Sequence, residues 1–235
     1  MGLFKGIIMN VTLMQHGSLE VTAHAIRTCW QSFDKSDEGG EKDKELINRV
    51  GNKFKHASTL EHLTYTFYIA GVSRALLQEL ARHRMASYSV KSTRYTLKEL
   101  KDEETFTDGM SALELYEKYT NPDEVYNDKH MLRAQKYLVW TKDLFTDFAS
   151  VCGLENLRLV LQSGVANDRA KFCLPESYKT ELTWTINARS LQNFLALRSS
   201  KSALWEIRDL ANMVYEMLPS DHKYLFEDCV NGDGH

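Results

Sequence analysis

Several common sequence signatures are missing from this chain of 235 residues, and each absence excludes a class of protein. No G-x-G-x-x-G follows a predicted strand and no G-x-x-x-x-G-K-[ST] occurs, which excludes the standard dinucleotide and P-loop sites. The hydrolase and zinc-protease motifs G-x-S-x-G and H-E-x-x-H are also absent. No apolar run approaches the ~20 residues of a membrane span, so we expect no membrane partner.

Cysteine is scarce and charge is nearly balanced. The four cysteines Cys29, Cys152, Cys173 and Cys229 form no C-x-x-C pair, so neither a zinc site nor a disulfide framework is predicted. Reduced thiols in the cytoplasm are the simple interpretation, since no targeting signal is evident. A net charge of −3 argues against a general nucleic-acid binder, which carries a basic excess. No Pro-rich or Gly-rich linker occurs, which favours a single domain over residues 1–235.

Hydrophobic periodicity predicts a mixed α/β chain of the α+β type. Strands are predicted from alternation and β-branched residues at 6–15, 63–69 and 180–186. Helices are predicted from apolar spacing and capping residues at 18–32, 74–84, 123–151, 154–162, 166–173, 187–198 and 202–218. A charged stretch containing two glycines predicts a loop over 33–44, and a helix with Leu46, Ile47 and Val50 inward follows it. The acidic residues 100–125 predict a surface insertion with a short helix.

The densest group of cations is Arg82-His83-Arg84, and Ser92 follows after seven intervening residues. Three adjacent cationic or cationisable side chains cannot be buried without partners. They favour a surface or cleft that faces several anionic oxygens, and nearby hydroxyls and Arg94 extend that surface. The pattern therefore predicts a site for a phosphorylated ligand. The alternative is simple capping of a helix C-terminus, where the helix dipole favours cations.

Two further polar clusters stand out at 187–198 and 56–62. In the first, Arg189 and Asn193 are four residues apart and share a helix face, and Asn187 is a natural N-cap. The alternative is an ordinary helix whose polar residues have no role in a binding site. The second contains two histidines and a glutamate, which suggests metal ligands. A third ligand at proper spacing is missing, so no metal is predicted.

The pattern Arg-His-Arg, seven residues, Ser resembles the signature of the flavin-dependent thymidylate synthases. The clusters at 56–62 and 187–198 match that family in the same order, and the resemblance spans residues 32–198, with 100–125 the least comparable part. The resemblance implies that dUMP is converted to dTMP, with 5,10-methylenetetrahydrofolate as carbon donor and NADPH-reduced FAD as hydride source. The chain offers no clear activated cysteine of the kind that classical thymidylate synthases use, which agrees with the flavin route.

The resemblance also implies a role for individual residues. FAD would be held by His56, Ser58, Arg82, His83, Arg84, Asn187, Arg189 and Asn193. The substrate dUMP would be held by Glu79, Arg82, Lys91, Ser92, Thr93, Arg94, Lys171 and Arg198. Arg198 would be catalytic, because a guanidinium facing the uracil N3 and its carbonyl stabilises an anionic pyrimidine and activates C5. Arginine also keeps its charge at any working pH.

Several positions depart from the pattern of the family. Glu79 stands where many relatives have Gln, and Ser89-Val90 stands where an Asn-Glu pair is common. Lys171 stands where Arg is frequent, and a lysine cannot form the bidentate contact with phosphate that arginine forms.

The family fold is a central β-sheet flanked by helices, assembled as a homotetramer with active sites where subunits meet. The resemblance therefore implies a homotetramer here, with dUMP and folate as its small-molecule partners. The residues alone leave two other functions open. One is a nucleotide-phosphate binding module without redox chemistry. The other is a nucleic-acid binder that uses the Arg-His-Arg surface, against which the acidic pI of about 6.3 counts.

Overall fold

The computed structural model describes residues 9–119 and 121–230, which divide into two compact units. The first unit comprises Ala70–Gln78 and Val90–Glu181, with residues 9 and 10. The second unit comprises Val11–Ile69, Glu79–Ser89 and the described residues from Leu182 onward. The interpretation of residues 1–235 as one domain stays a prediction.

The chain contains both helices and strands, as the sequence predicts, with a run of helices from α4 to α9 between β3 and β4. The strands are β1 Asn10–His16, β2 Thr64–Ser73, β3 Ala86–Val90 and β4 Lys179–Asn187. The α-helices are α1 Leu19–Thr28, α2 Glu41–Ile47, α3 Arg74–Leu80, α4 Thr93–Thr96, α5 Ala112–Lys118, α6 Pro122–Val125, α7 Lys129–Ala134, α8 Leu144–Gln162, α9 Asn167–Ala170, α10 Ala188–Arg198, α11 Trp205–Glu216 and α12 Glu227–Val230. The predicted strand at 6–15 is confirmed from Asn10 onward, and its residues 6–8 lie outside the described residues.

The four strands form an antiparallel sheet in the order β1-β2-β4-β3. Strand β4 shows a strict alternation of buried and half-buried positions, with Leu182, Trp184 and Ile186 inward. This is the period of two that a strand with one face on the core requires. In the second unit, the Ala188 N–H donates to the Leu63 carbonyl oxygen at 2.7 Å, which ties the start of α10 to the start of β2.

A column of aromatic rings runs through the core of the second unit from the sheet to α10. Trp184 of β4 lies 6.0 Å from Phe67 of β2 and 5.0 Å from Phe194 of α10, measured between ring centroids. All three side chains are fully buried. The Trp184–Phe194 contact is edge-to-face and the Trp184–Phe67 contact is tilted. Aromatic contacts at such distances add to the stabilisation from burying large apolar surfaces, so the column fixes α10 against the sheet.

The first unit is built around the long helix α8. Its core cluster includes Leu154 and Leu157 of α8 together with Leu100, Phe106 and Leu115. The last three residues belong to the acidic stretch that was predicted to be a surface insertion. That prediction is wrong for this part of the chain, because these three apolar side chains are buried against α8.

The predicted single helix over 123–151 is also wrong. The chain leaves the helical path after α7, and Leu138 forms an isolated antiparallel bridge with Tyr178. A new helix, α8, begins where the Asp143 side chain accepts a hydrogen bond from the Thr146 N–H at 2.8 Å. It then continues without a break to Gln162, so the segment predicted at 154–162 is the second half of α8. A partner distant in sequence accompanies the break at Leu138, whereas a local cap starts α8.

Three other helices differ from their predicted bounds. Helix α1 begins at the predicted cap Ser18 but ends at Thr28 instead of continuing to residue 32. Helix α2 begins at Glu41, inside the predicted loop over 33–44. Helix α3 ends at Leu80 rather than at residue 84. The His83 N–H bonds only three residues back, to the Leu80 carbonyl oxygen at 3.0 Å, and the Tyr88 hydroxyl donates to the same oxygen at 2.9 Å. The Arg-His-Arg triple therefore follows α3 instead of forming its last turn.

Candidate functional site

An open cleft of about 850 Å³ lies within the second unit. It brings together residues from all three clusters found in the sequence: the stretch that follows α3, the exposed face of α10, and Glu61 of the cluster at 56–62. The predicted site residues that line it are Arg82, His83, Arg84, Asn187, Arg189, Asn193 and Arg198. The structure thus brings into one cleft residues that are about a hundred positions apart in the chain.

Helix α10 presents its polar residues to the cleft because its other face is buried. Leu191, Phe194 and Leu195 pack into the core, while Arg189 and Asn193 on the opposite face are exposed. The helix begins at the predicted N-cap, since the Asn187 side-chain oxygen accepts from the Ser190 N–H at 2.9 Å. The predicted helix at 187–198 and its cap are therefore confirmed.

Arg198 ends α10 and is the most constrained arginine of the cleft. Its Nη1 donates to Oε2 of Glu79 at 2.9 Å, and its Nη2 lies 3.4 Å from the Glu79 carbonyl oxygen. Its Nε donates to Nε2 of His83 at 3.0 Å. The Arg198 side chain is 17% exposed, so the guanidinium is sheltered on one side and still reaches the cleft.

His83 is held as a neutral ring. Because Nε2 accepts from Arg198, the imidazole proton must sit on Nδ1. Burial, followed by the charges of Arg198 and Arg82, lowers the pKa of His83 to about 4. The ring also packs edge-on against Phe194, with centroids 5.1 Å apart, so the aromatic column of the core continues into the cleft wall.

The lowered pKa of His83 predicts a loss of stability on the acid side. Between pH 6.5 and about 4 the unfolded chain binds a proton at this position and the folded chain does not, so the free energy of unfolding falls as pH falls through this window. We expect the free energy of unfolding of the His83→Gln variant to fall less steeply over this pH window than that of the wild type. The measurement is the urea midpoint of both proteins at several pH values. His222, whose pKa burial also lowers, contributes a remaining slope in both. Parallel profiles for the two proteins would contradict this account.

The cleft carries an excess of positive charge. Four arginines and one glutamate line it, an excess of three positive charges that the nearby Glu79 reduces to two. The Arg82 side chain is 72% exposed and lies 3.7 Å from Glu79, between Nη1 and Oε2. Within residues 9–119 and 121–230, Arg84 makes no hydrogen bond or ion pair. Guanidinium groups that are exposed or have few protein partners suit a ligand with several anionic oxygens.

Sequence reasoning missed six residues that line the cleft. They are Glu61, Met85, Ser190, Leu197, Ser202 and Ala203. Glu61 accepts from Nη1 of Arg189 at 2.7 Å, and both side chains are about half exposed. Glu61 stands in the polar cluster at 56–62, which could have pointed to it. The others have no signal in the sequence, because ordinary small or apolar residues line a cleft only through tertiary packing.

Five predicted residues belong to the first unit. They are Lys91, Ser92, Thr93, Arg94 and Lys171. Helix α4, which contains Thr93 and Arg94, packs against α9, which Lys171 directly follows. The Asn167 side chain donates to the Arg94 carbonyl oxygen at 2.9 Å and ties these helices together.

Their side chains differ in what they contact. Lys91 faces Glu181 at 3.4 Å, between Nζ and Oε1. The side chains of Ser92, Arg94 and Lys171 are exposed. The structure therefore places two cationic side chains, Arg94 and Lys171, on adjoining elements of the first unit.

His56 and Ser58 are exposed residues of the second unit outside the cleft lining. They lie at the start of a 3-10 helix, Ala57–His62, that packs against α10. His56 accepts from the Thr59 hydroxyl through its carbonyl oxygen at 2.8 Å. Among the described residues, no three His, Cys, Asp or Glu side chains come together in the way that a metal ion requires.

Comparison with known proteins decides the family. The sequence model described as thymidylate synthase complementing protein matches residues 11–221. The flavin-dependent thymidylate synthase of Wolinella succinogenes is 65% identical over 226 residues, which cover 96% of this chain and 100% of that protein. The chain belongs to the flavin-dependent thymidylate synthase family. The Campylobacter jejuni member is 60% identical over 225 residues, covering 96% of this chain and 99% of that protein.

A solved structure extends the similarity to the fold. The crystal structure of the Helicobacter pylori flavin-dependent thymidylate synthase, complexed with FAD and dUMP, matches with a TM-score of 0.81 at 51% identity. The match covers 94% of this chain and 100% of that chain. The mixed α/β fold, the family and the function predicted from the sequence, an enzyme of the flavin-dependent thymidylate synthase type, are thereby confirmed. The individual residue roles stay predictions. No helix among the described residues is long and apolar enough to cross a membrane.

Proposed function

We propose that this chain makes dTMP by reductive methylation of dUMP, with 5,10-methylenetetrahydrofolate as carbon donor and FAD, reduced by NADPH, as hydride source. The observation that carries the proposal is the cleft of the second unit, where four arginines meet and Arg198 is fixed by Glu79 and His83. Positive charge that is pre-oriented before a ligand arrives suits a reaction in which negative charge develops.

The cleft residues fit FAD. Its pyrophosphate is doubly anionic, and the exposed guanidinium groups of Arg82 and Arg84 are donors of matching charge. Its ring system carries nitrogen and oxygen atoms that amide side chains such as those of Asn187 and Asn193 recognise. When bound, FAD supplies the hydride that converts the transferred one-carbon group to a methyl group. Of the other residues proposed for FAD, Arg189 and His83 line the same cleft, and His56 and Ser58 lie outside its lining.

The proposed dUMP residues divide by the chemistry that they offer. Arg94 and Lys171 of the first unit, with Lys91, Ser92 and Thr93, are suited to a 5′-phosphate. Of the second-unit residues Glu79, Arg82 and Arg198, the two arginines are suited to the uracil edge, and Glu79 contacts both of them. We propose that the Arg198 guanidinium donates to a uracil carbonyl oxygen and, once N3 has lost its proton, to N3. It thereby stabilises the anionic pyrimidine whose C5 attacks the one-carbon group.

We propose that residues 1–235 form one domain of the family and that the chain assembles as a homotetramer with active sites at subunit interfaces. We also propose that it works in the cytoplasm, without nucleic-acid or membrane partners. Size-exclusion chromatography with light scattering would test the tetramer, and a mass of one or two chains would contradict it.

The test of the function is dTMP formation by the purified protein with dUMP, FAD, NADPH and methylenetetrahydrofolate, each omitted in turn. Product that requires all four components would establish the reaction. Bound FAD without product would point to a different flavin reaction. Nucleotide binding without FAD binding or product would favour a nucleotide-binding module, and strongly salt-dependent binding of oligonucleotides would favour a nucleic-acid binder.

Replacing Arg82 with alanine should weaken both ligands. Hydrogen bonds to charged groups contribute about 1.5–3 kcal/mol, so we expect each dissociation constant to rise by about 10- to 100-fold. FAD binding can be followed by flavin fluorescence and dUMP binding by calorimetry. Arg208→Ala is the matched control, since Arg208 contacts the Lys201 carbonyl oxygen outside the cleft lining. If both dissociation constants stay at their wild-type values, Arg82 contacts neither ligand.

A further inference from the structure

Three hydrogen bonds hold Arg198 and leave two of its N–H groups for a ligand. A guanidinium carries five N–H donors in one rigid plane. In Arg198 the Nε donor goes to His83, one Nη1 donor to the Glu79 carboxylate and one Nη2 donor to the Glu79 carbonyl oxygen. One N–H therefore remains on each terminal nitrogen. The two lie in the guanidinium plane, on a side chain that lines the cleft.

The contacts fix the orientation of that plane because they come from groups that are themselves held. Glu79 is the second-last residue of α3 and binds both terminal nitrogens, one through its side chain and one through its backbone. His83 binds Nε, and its ring is supported by the buried Phe194. A planar group that is bound at all three nitrogens can neither rotate nor tilt without breaking a hydrogen bond.

We propose that Glu79 is a positioning residue for Arg198, which acts on dUMP by orienting the guanidinium rather than by contacting the uracil itself. The inference rests on the proposed function and refines the part that Glu79 plays in it. Catalytic groups must be held close to their productive geometry, and a displacement of about 1 Å can reduce a rate by about 100-fold. The Glu79 carboxylate supplies this constraint from one side of the guanidinium, and His83 supplies it from the other.

Two substitutions of Glu79 distinguish the effect of where its oxygen lies from the effect of its charge. Glutamine keeps an oxygen acceptor at the same distance from the backbone and loses the charge. Aspartate keeps the charge but withdraws its oxygens by one carbon–carbon bond, about 1.5 Å. If Glu79 acts by position, Glu79→Gln is close to wild type, and Glu79→Asp is as impaired as Glu79→Ala. The comparison also tests a role for charge, since Oε2 of Glu79 lies 3.7 Å from Nη1 of Arg82.

The experiment measures kcat for dTMP formation and the dissociation constant of dUMP for the three Glu79 variants. We expect kcat to fall by about 10- to 100-fold in Glu79→Ala and Glu79→Asp and to stay within about threefold in Glu79→Gln. The dUMP dissociation constant should change less than threefold in each, because the substrate contact belongs to Arg198. Glu216→Ala is the matched control, since Glu216 pairs with Lys223 at 3.0 Å on the surface and leaves the cleft unchanged.

A double-mutant cycle completes the test. In the Arg198→Ala background, Glu79→Ala should lower kcat no further, because a residue that acts only through Arg198 has nothing left to orient. Three results would overturn the inference: additive losses, a raised dUMP dissociation constant with unchanged kcat, or full activity in Glu79→Asp together with loss in Glu79→Gln. If Glu79→Ala does not fold, the comparison of the Gln and Asp variants still decides. Absence of dTMP with the wild-type protein would instead reject the proposed function.

Discussion

The Arg198→Ala variant is expected to fold, to bind FAD, and to lose kcat for dTMP formation by about 10²–10³-fold, the usual effect of removing one pre-oriented donor from a site where negative charge develops. The structure supports folding because the Arg198 guanidinium faces the cleft and lies outside the apolar core. Its removal leaves the Glu79 carboxylate without that partner, but this side chain remains 26% exposed to water and close to Arg82.

The measurement is steady-state dTMP formation together with separate FAD and dUMP titrations. Arg208→Ala again serves as the control, because it removes the same side chain outside the cleft lining. Loss of kcat with intact FAD binding would support a role at the uracil. Turnover near the wild-type value would show that Arg198 is not the residue that stabilises the anionic pyrimidine.

The largest effect on stability is expected from Asp43→Ala, which should lower the free energy of unfolding by about 3–5 kcal/mol. Asp43 is fully buried and accepts two hydrogen bonds from Arg27, which is 5% exposed. It also accepts from the Ser36 hydroxyl at 2.7 Å and from the Gly39 N–H at 3.0 Å. Burial alone raises the pKa of Asp43, but the hydrogen bonds from Ser36 and Arg27 outweigh it and the pKa lies below its usual value. The variant would leave the Arg27 charge buried without its ionic partner.

Urea unfolding followed by circular dichroism, at one protein concentration and without FAD, would measure this effect. Glu216→Ala breaks an exposed ion pair with Lys223 and should change stability by less than about 1 kcal/mol. A double variant, Arg27→Met with Asp43→Leu, removes both charges and should recover much of the lost stability. Equal losses in Asp43→Ala and Glu216→Ala would show that the buried pair contributes no more than a surface one.

Sequence patterns correctly predicted those elements that are specified by residues close together in the chain. The alternation in β4 and the cap at Asn187 need no distant partner, and both were predicted correctly. The predicted helix over 123–151 failed because its apolar spacing is compatible with one helix. The observed break at Leu138 depends on Tyr178, forty residues away in the sequence. Periodicity alone carries no information about such a partner.

The sequence by itself determined the chemistry of this protein: the Arg-His-Arg triple, the polar cluster of α10 and the resemblance to a family whose membership is confirmed. The tertiary structure alone decided how the chemistry is arranged. It sets the Arg198 guanidinium between Glu79 and His83 and pairs Arg189 with Glu61. The physical reason is that a sequence specifies which charges are present, whereas hydrogen bonds between side chains over a hundred residues apart exist only once the core has packed.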